Sequence, residues 1–493
     1  MAAEAGKSDD ITKGRAIFMR SFGIYAEVGG FYDYGPIGLR IKRNIESEWR
    51  RIVADPLGFV EVETSIVLPE IVLRASGHLA TFTDPVGVCK SCHTPYRLDK
   101  LLEEYYEGRG DSEHAAGLRK MTLKDFDALV SKLGIKCSKC GGTIGNPENF
   151  NLMFKTQIGQ KGTDAAYLRP ETAQGIFIDF RDIYRAYGLK LPCGICQIGK
   201  VFRNEISPRQ QLVRVREFTQ MEAELFIDPQ APFAGFGGAG ADIEGDDAIM
   251  FMLPGEAEAA QRSAKDLVAQ GAIPNLYLAQ MLIKERDLLA SLGIGKDRYR
   301  FRKLEKEELP HYSMGNIDLE VLTSYGYIEV AGNAHRGDYD LSSHARTSGQ
   351  DLSVISAEKR VLPHVIEASI GVDRLLFSII DGAVADDGRG WKRLALSKAA
   401  APYDCAVFPL QKDPGLIAKA KEIAGMLGSC KVKYYYSETG SIGKRYARAD
   451  EIGVPAAITI DYDTLKDGTV TLRDRDSAKQ IRKSADEIVE MVS

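Results

Sequence analysis

Apolar and polar positions alternate with different periods along the chain, and the changes of period mark its elements. In LRIKRNIESEWRRIVA (39–54), Leu39, Ile45, Trp49, Ile52 and Val53 recur at helical spacing with charges between them. The period shortens to two in GFVEVETSIVLPE, which predicts an extended run ended by Pro69. GICQIGKVFRNE (194–205) and LVRVREFTQMEAELFI (212–227) read as two strands, and SPRQQ between them predicts a five-residue hairpin loop. AEAAQRSAKDLVAQGA (257–272) and LYLAQMLIKERDLLASLG (276–293) read as helices. Strand texture returns in SYGYIEVAGNAHRGDYDL and in VLPHVIEASIGVDRLLFSII, the latter ending in an apolar helix.

From Pro402 onward the alternation is regular. DCAVFPL, KVKYYY, PAAITID and TVTLRD are predicted strands, PGLIAKAKEIAGMLG and KRYARADEIG helices, and SAKQIRKSADEIVEMV a closing helix. This pattern predicts a separate α/β domain.

Composition removes several classes. The longest uncharged apolar runs, such as Ile370–Val372 and Leu375–Ile380, fall far short of the roughly 20 residues of a membrane span. The opening MAAEAGKSDD has no apolar core, so no secretory signal is expected and the protein is expected to be soluble and cytoplasmic. Lys+Arg 64 against Asp+Glu 69 gives a net charge of −5, which leaves a local basic surface as the route to any nucleic acid.

Six of the eight cysteines form C-x-x-C pairs: Cys89/Cys92, Cys137/Cys140 and Cys193/Cys196. Two thiolate knuckles complete a tetrahedral Zn²⁺ shell, so Cys89, Cys92, Cys137 and Cys140 are the predicted ligands of a structural zinc, the alternative being unpaired surface thiols. Cys193 and Cys196, in the apolar LPCGICQIG, read as small buried hydrophobes. The one G-x-G-x-x-G, Gly235–Gly240, follows Pro232 and precedes four acidic residues that would repel phosphate, so it reads as a loop. No phosphate loop, H-E-x-x-H or G-x-S-x-G is present.

The densest polar constellation is the hairpin. Arg203, Arg209, Arg214 and Arg216 stand against Glu205, Glu217, Glu222 and Glu224, and 214, 216, 218, 220 and 222 are predicted to share one strand face. Arginines so placed suit a triphosphate, and the carboxylates suit Mg²⁺ or an ammonium group. The competing reading is a solvated face of cross-strand ion pairs.

These residues also resemble a known family. FRNEISPR with RVREF resembles motif 2 of class II aminoacyl-tRNA synthetases, GVDR (371–374) motif 3, and the 39–54 helix with its following strand motif 1. GGFYDYGPIG, ASGH, YLRPETAQGIF, REFTQME, HRGDYDLSSH and VIEAS, in this order, resemble glycyl-tRNA synthetases of the archaeal and eukaryotic homodimeric type. GSIGKRYARADEIGVP resembles that family's anticodon-binding domain. RPETAQ with VIEAS argues against prolyl, threonyl or histidyl types. Retention of Arg203, Arg214 and Arg374 argues against a non-catalytic paralogue, and a bare zinc-ribbon nucleic-acid binder leaves most of the chain unexplained.

The resemblance implies an α+β class II catalytic domain on an antiparallel sheet, with a zinc-ribbon insertion, a partly helical insertion and a C-terminal α/β anticodon-binding domain. The expected boundaries are 1–83 (motif 1), 84–150 (zinc-ribbon-like), 151–226 (motif 2), 227–325 (partly helical), 326–398 (motif 3) and 399–493 (anticodon binding). It implies ATP contacts from Arg203, Asn204, Glu205, Arg214, Val215, Glu329, Val330 and Arg374. Around glycine it implies Glu171, Glu222, Glu367, Ala368 and Ser369, with Arg97 nearby; Ala368 stands where the family usually has proline. Lys444, Arg445 and Arg448 are expected at the tRNA anticodon. ATP, Mg²⁺, Zn²⁺, glycine, tRNA(Gly) and a second copy of the chain are the implied cofactors and partners. Attack of a carboxylate on the α-phosphorus of ATP needs positioning and charge neutralisation more than a protein nucleophile. A glutamate pocket suits glycine's ammonium, its only handle besides the carboxylate, and larger amino acids are refused sterically.

Overall fold

The computed structural model describes residues 11–25, 28–109, 111, 117–118, 121–160, 162, 164–206, 208, 210–233, 236, 247–306, 308–309, 313–386, 388 and 390–492. Arg209 and, apart from Phe236, the run Gly235–Gly240 lie outside these.

A nine-stranded sheet carries the larger part of the chain. In chain order its strands are β1 (Val60–Glu61), β2 (Cys193–Phe202), β3 (Glu217–Ile227), β4 (Ala248–Met252), β5 (Ala260–Ser263), β6 (Tyr299–Lys303), β7 (Asn316–Thr323), β8 (Gly326–Gly337) and β9 (His364–Gly371). They lie in the order β5-β4-β6-β7-β8-β9-β3-β2-β1. The β2/β3, β3/β9, β8/β9 and β7/β8 pairs are antiparallel. The four strands β4 to β7 come from the stretch expected as an insertion and continue this sheet.

Successive strand residues point to opposite faces, and the two faces differ in chemistry. Met221, Ala223 and Leu225 of β3, with Ile366, Ala368 and Ile370 of β9, join the main apolar core. Three helices cover that face: α1 (Pro36–Trp49), α3 (Leu276–Ser291) and α5 (Val372–Ala383). Ile41, Ile45 and Trp49, spaced by four on α1, are all buried, each worth roughly 1.5–3 kcal/mol by area. On the other face lie Glu222 and Glu224, with α2 (Ala173–Ala186) and α4 (Tyr339–Ser348) beyond them over a smaller core. Cys193 belongs to that smaller core and Cys196 to the main one, so the C-x-x-C pair straddles the sheet as two buried free thiols.

Several elements differ from expectation. The hairpin connection runs from Arg203 to Arg216, because Phe202 pairs with Glu217; a short 3₁₀ turn, Gln211–Val213, interrupts it. Arg214 and Arg216 therefore sit on the connection and not on a strand face. The stretch 257–272 forms β5 and a helix Ala264–Ala269, since Ser263 caps that helix and ends the strand. The extended run after Gly58 pairs only at β1 and at Val67–Pro69.

Residues 404–492 form a five-stranded sheet, with β10 (Cys405–Pro409), β11 (Tyr434–Tyr436), β12 (Ala456–Ile460), β13 (Thr469–Asp474) and β14 (Gln480–Ser484) in the order β11-β10-β12-β13-β14. Helices α6 (Pro414–Ser429) and α7 (Ile442–Glu451) link its parallel strands. The closing segment is β14 followed by α8 (Ala485–Val492), where one helix was expected. No helix among the described residues is long and apolar enough to cross a membrane.

Candidate active site

A cavity of about 500 Å³ lies on the polar face of the large sheet. Glu171 and Glu367 line it, and beside them, buried outside the lining, Glu222 and Glu224 bring their carboxylates within 4.8 Å of that of Glu367. Register brings them together: Glu222 faces Ser369 and Glu224 faces Glu367 across β3 and β9. Glu171, at the entry to α2, joins them from the side. Thr172 Oγ1 donates to Glu222 at 2.8 Å, while neither Glu224 oxygen has a hydrogen-bond partner among the described residues.

So much buried charge must be neutralised. Burial, reinforced by Glu367 and Glu171, pushes the Glu222 carboxyl up to about 8, so it holds a proton at neutral pH. Burial followed by Glu367 and Glu222 raises Glu224 in the same direction. Burial would also raise Glu171, but His78, Arg336 and Gln174 together hold it well below the usual carboxylate range. Arg336, only 1% exposed, donates from Nε to Asp340 at 2.7 Å and from Nη1 to Glu367 at 3.0 Å. Gln174 donates to Glu171 at 2.8 Å and to Asp340 at 3.1 Å, and its oxygen faces His344 Nε2 at 2.8 Å. An amide oxygen only accepts, so His344 carries its proton on Nε2. The end of the cavity is thus a rigid, acid-rich pocket suited to a small cation.

The remainder of the lining sets arginines beside further carboxylates. Arg203, Glu205, Arg214 and Val215 reach in from the β2–β3 connection, and Glu329, Val330 and Arg374 from β8 and α5. Arg374 donates to the Val213 carbonyl at 2.9 Å and to the Glu329 carbonyl at 2.8 Å. The Arg203 guanidinium lies 5.4 Å from the ring centre of Phe82 and 5.3 Å from that of Phe218. Asp318, pushed up to about 8 by burial and then by Glu329, adds a further carboxyl to this wall.

Four expected contacts fall outside the lining, Glu222 among them, fully buried beside Ser369. Asn204 does not line the cavity; its backbone N–H donates to the Leu152 carbonyl at 2.6 Å. Ala368 points into the main core, because it alternates with the cavity-facing Glu367 and Ser369. Arg97 is held between Asp84 at 2.9 Å and Asp99 at 2.5 Å, away from the glutamates, since its strand Pro95–Arg97 belongs to the cysteine-bearing module.

In that module the strands Thr83–Cys89 and Ile144–Asn151 pair, bringing the two knuckles together. Cys89 Sγ lies 3.5 Å from Cys140 Sγ, and Cys92 Sγ 3.6 Å from Cys137 Sγ. A tetrahedron with arms of about 2.3 Å has edges of roughly 3.8 Å, so the four thiols fit a Zn²⁺ ion.

In the C-terminal domain Lys444 is exposed and Arg448 half-buried on α7. Arg445 corrects the expectation of an RNA contact: it is 2% exposed and donates to the carbonyls of Pro409, Leu410 and Ser437 beyond the ends of β10 and β11. It closes the sheet and is not available at the surface.

Residues 154–233 match the family described as "tRNA synthetase class II core domain (G, H, P, S and T)", and residues 404–493 that described as "Anticodon binding domain". The glycine--tRNA ligase of Aeropyrum pernix is 37% identical, with 98% of this chain and 95% of that protein covered. Those of Methanothermobacter thermautotrophicus and Methanocaldococcus jannaschii are each 35% identical, with 97% of either protein covered. This chain belongs to the glycine--tRNA ligase family. A solved Giardia lamblia prolyl-tRNA synthetase shares the fold, with a TM-score of 0.62 over 99% of this chain and 75% of that one at 16% identity.

Within this glycine--tRNA ligase family member, the acid pocket depends on side chains that were quoted in motifs but given no role. Arg336 and Asp340 lie in HRGDYDLSSH, His78 in ASGH and Gln174 in RPETAQ. Glu224 lay one strand period beyond Glu222, and that spacing was the signal. Phe218, in REFTQME, lines the cavity too, and Asp318 does so without any distinguishing mark in the sequence.

Proposed function

We propose that the chain is an ATP-dependent glycine--tRNA ligase: it activates glycine to glycyl-adenylate, releasing pyrophosphate, and transfers the glycyl group to the 3′ end of tRNA(Gly). The observation that carries this is one cavity in which Glu171 and Glu367, backed by buried Glu222 and Glu224, share a lining with Arg203, Arg214 and Arg374. Glu171, Glu222 and Glu367 would hold the ammonium of glycine, and Ser369 would stand beside them. Arg203, Arg214 and Arg374 would neutralise ATP phosphates, with Glu205, Glu329, Val330 and the Phe218 ring completing the nucleotide wall. Mg²⁺ would be held from Glu329 and Asp318 and would supply charge neutralisation at the phosphates.

A structural Zn²⁺ on Cys89, Cys92, Cys137 and Cys140 would hold the inserted module, since four cysteines leave no position for substrate. Lys444 and Arg448 are the candidates for contact with tRNA in the C-terminal domain. A homodimer is supported by exposed Val67, in the strand that closes motif 1, and exposed Ile71 just beyond it. A reducing, cytoplasmic setting suits eight free cysteines.

ATP–pyrophosphate exchange, run with each amino acid in turn, tests the reading. Exchange dependent on glycine and absent with alanine or serine is expected; equal exchange with proline or threonine would overturn it.

A further inference from the structure

The segment from Gly29 to Tyr34, in the motif GGFYDYGPIG, touches both elements that carry cavity arginines without reaching the cavity itself. Its first anchor is the β2–β3 connection. The Gly30 carbonyl accepts the Arg216 backbone N–H at 2.7 Å. The Arg216 guanidinium then spans two chain segments, donating from Nη1 to the Gly29 carbonyl at 2.7 Å and from Nε to the Glu205 carbonyl at 3.0 Å. Only glycine permits this approach: Gly30 has φ +81°, and a Cβ there would lie 2.7 Å from Pro208 Cβ.

The second anchor is the start of α5. Tyr34 Oη donates to Asp373 Oδ1 at 2.5 Å, and Asp373 Oδ2 accepts the Thr219 backbone N–H at 2.6 Å. Asp373 immediately precedes Arg374. Between the anchors, Tyr32–Tyr34 pairs with Phe18–Arg20, which fixes the span of the segment.

Arg374 itself ties the same two elements together, through its bond to the Val213 carbonyl. We propose that residues 29–34 form a brace that sets the β2–β3 connection against the Asp373–Arg374 turn, with Gly30, Tyr34 and Arg216 as positioning residues for ATP. The brace rests on reading the cavity as the ATP and glycine site.

The test uses the full chain and two readouts: equilibrium binding of ATP with Mg²⁺, and glycine-dependent pyrophosphate exchange with separate KM values for ATP and glycine. Tyr34→Phe removes one hydroxyl and should weaken ATP binding and raise the KM for ATP about three- to tenfold, the range a single hydrogen bond supports. Its KM for glycine and its melting temperature should stay close to those of the unmodified chain. Arg216→Lys should lose as much as Arg216→Ala, because an ammonium lacks the fork that reaches two carbonyls. ATP affinity within twofold of the unmodified chain in both Tyr34→Phe and Arg216→Ala would overturn the brace. So would parallel losses for ATP and glycine accompanied by a lower melting temperature. ATP binding weakened by these changes in a chain that shows no glycine-dependent exchange would uphold the brace and refute the glycine reading.

Discussion

Arg336 Nη1 lies 3.0 Å from Glu367 Oε1, and this contact joins two strands of the sheet at the one place where four glutamates converge. The same guanidinium grips Asp340 on α4, so a single cation positions the Glu367 carboxylate.

Removing that cation should be costly in two ways. Arg336→Ala leaves Asp340 and Glu367 buried without their partner, a change typically worth about 3–5 kcal/mol. A fall in melting temperature is expected, together with a KM for glycine raised by about 10²-fold or more in whatever protein remains folded. An unchanged KM for glycine would remove Arg336 from the pocket's machinery.

Glycine binding should release protons. Glu222 is protonated in the free protein below about 8, and an arriving ammonium favours its ionised form. Affinity for glycine should therefore rise as pH climbs from 6 towards 8. Calorimetry in buffers of different ionisation enthalpy should show net proton release at pH 7. Proton uptake, or no exchange of protons, would contradict the raised carboxyl.

Elemental analysis should find one zinc per chain, absent after Cys137→Ser and retained after Cys193→Ser. The four cysteines lie outside the cavity, so chelation should lower stability before it abolishes pyrophosphate exchange. Metal lost with Cys193 and kept without Cys137 would reverse the assignment.

In the C-terminal domain two neighbouring cations should part company. Arg445→Ala strips donors from three backbone carbonyls and should destabilise the domain by about 1–3 kcal/mol, read by thermal melting. Lys444→Ala with Arg448→Ala should raise the KM for tRNA and leave both pyrophosphate exchange and melting unchanged. Equal thermal effects from both changes would show that α7 has no face committed to RNA.

Local signals revealed most elements but not every function of a side chain. The strand at 217–227 was legible because Met221, Ala223 and Leu225 alternate with polar residues. Alternation alone assigns those polar residues to water, whereas Glu222 and Glu224 are fully buried. Periodicity reports which face differs, not what covers it. The same blindness misplaced Arg445: a basic residue on an amphipathic helix reads as solvated, and only the tertiary arrangement brings it under the ends of β10 and β11. The long connection from Arg203 to Arg216 was read as a five-residue turn because Val213 and Val215 prolong the strand pattern, although backbone pairing stops at Glu217. The convergence of Cys89, Cys92, Cys137 and Cys140 needed no such context, since their C-x-x-C spacing marks them out.

The pairing of β3 with β9 also bears on how such a pocket can change over evolutionary time. Shifting either strand by one residue would put Ala223 and Ala368 where the acids stand and drive the glutamates into the apolar layer beneath. A single-codon deletion ahead of Glu222 in β3 would thus displace both of that strand's acids in one event, and one ahead of Glu367 in β9 would displace that acid. Descendants of this chain can exchange one side chain for another here, but gains and losses of length must accumulate outside the paired strands.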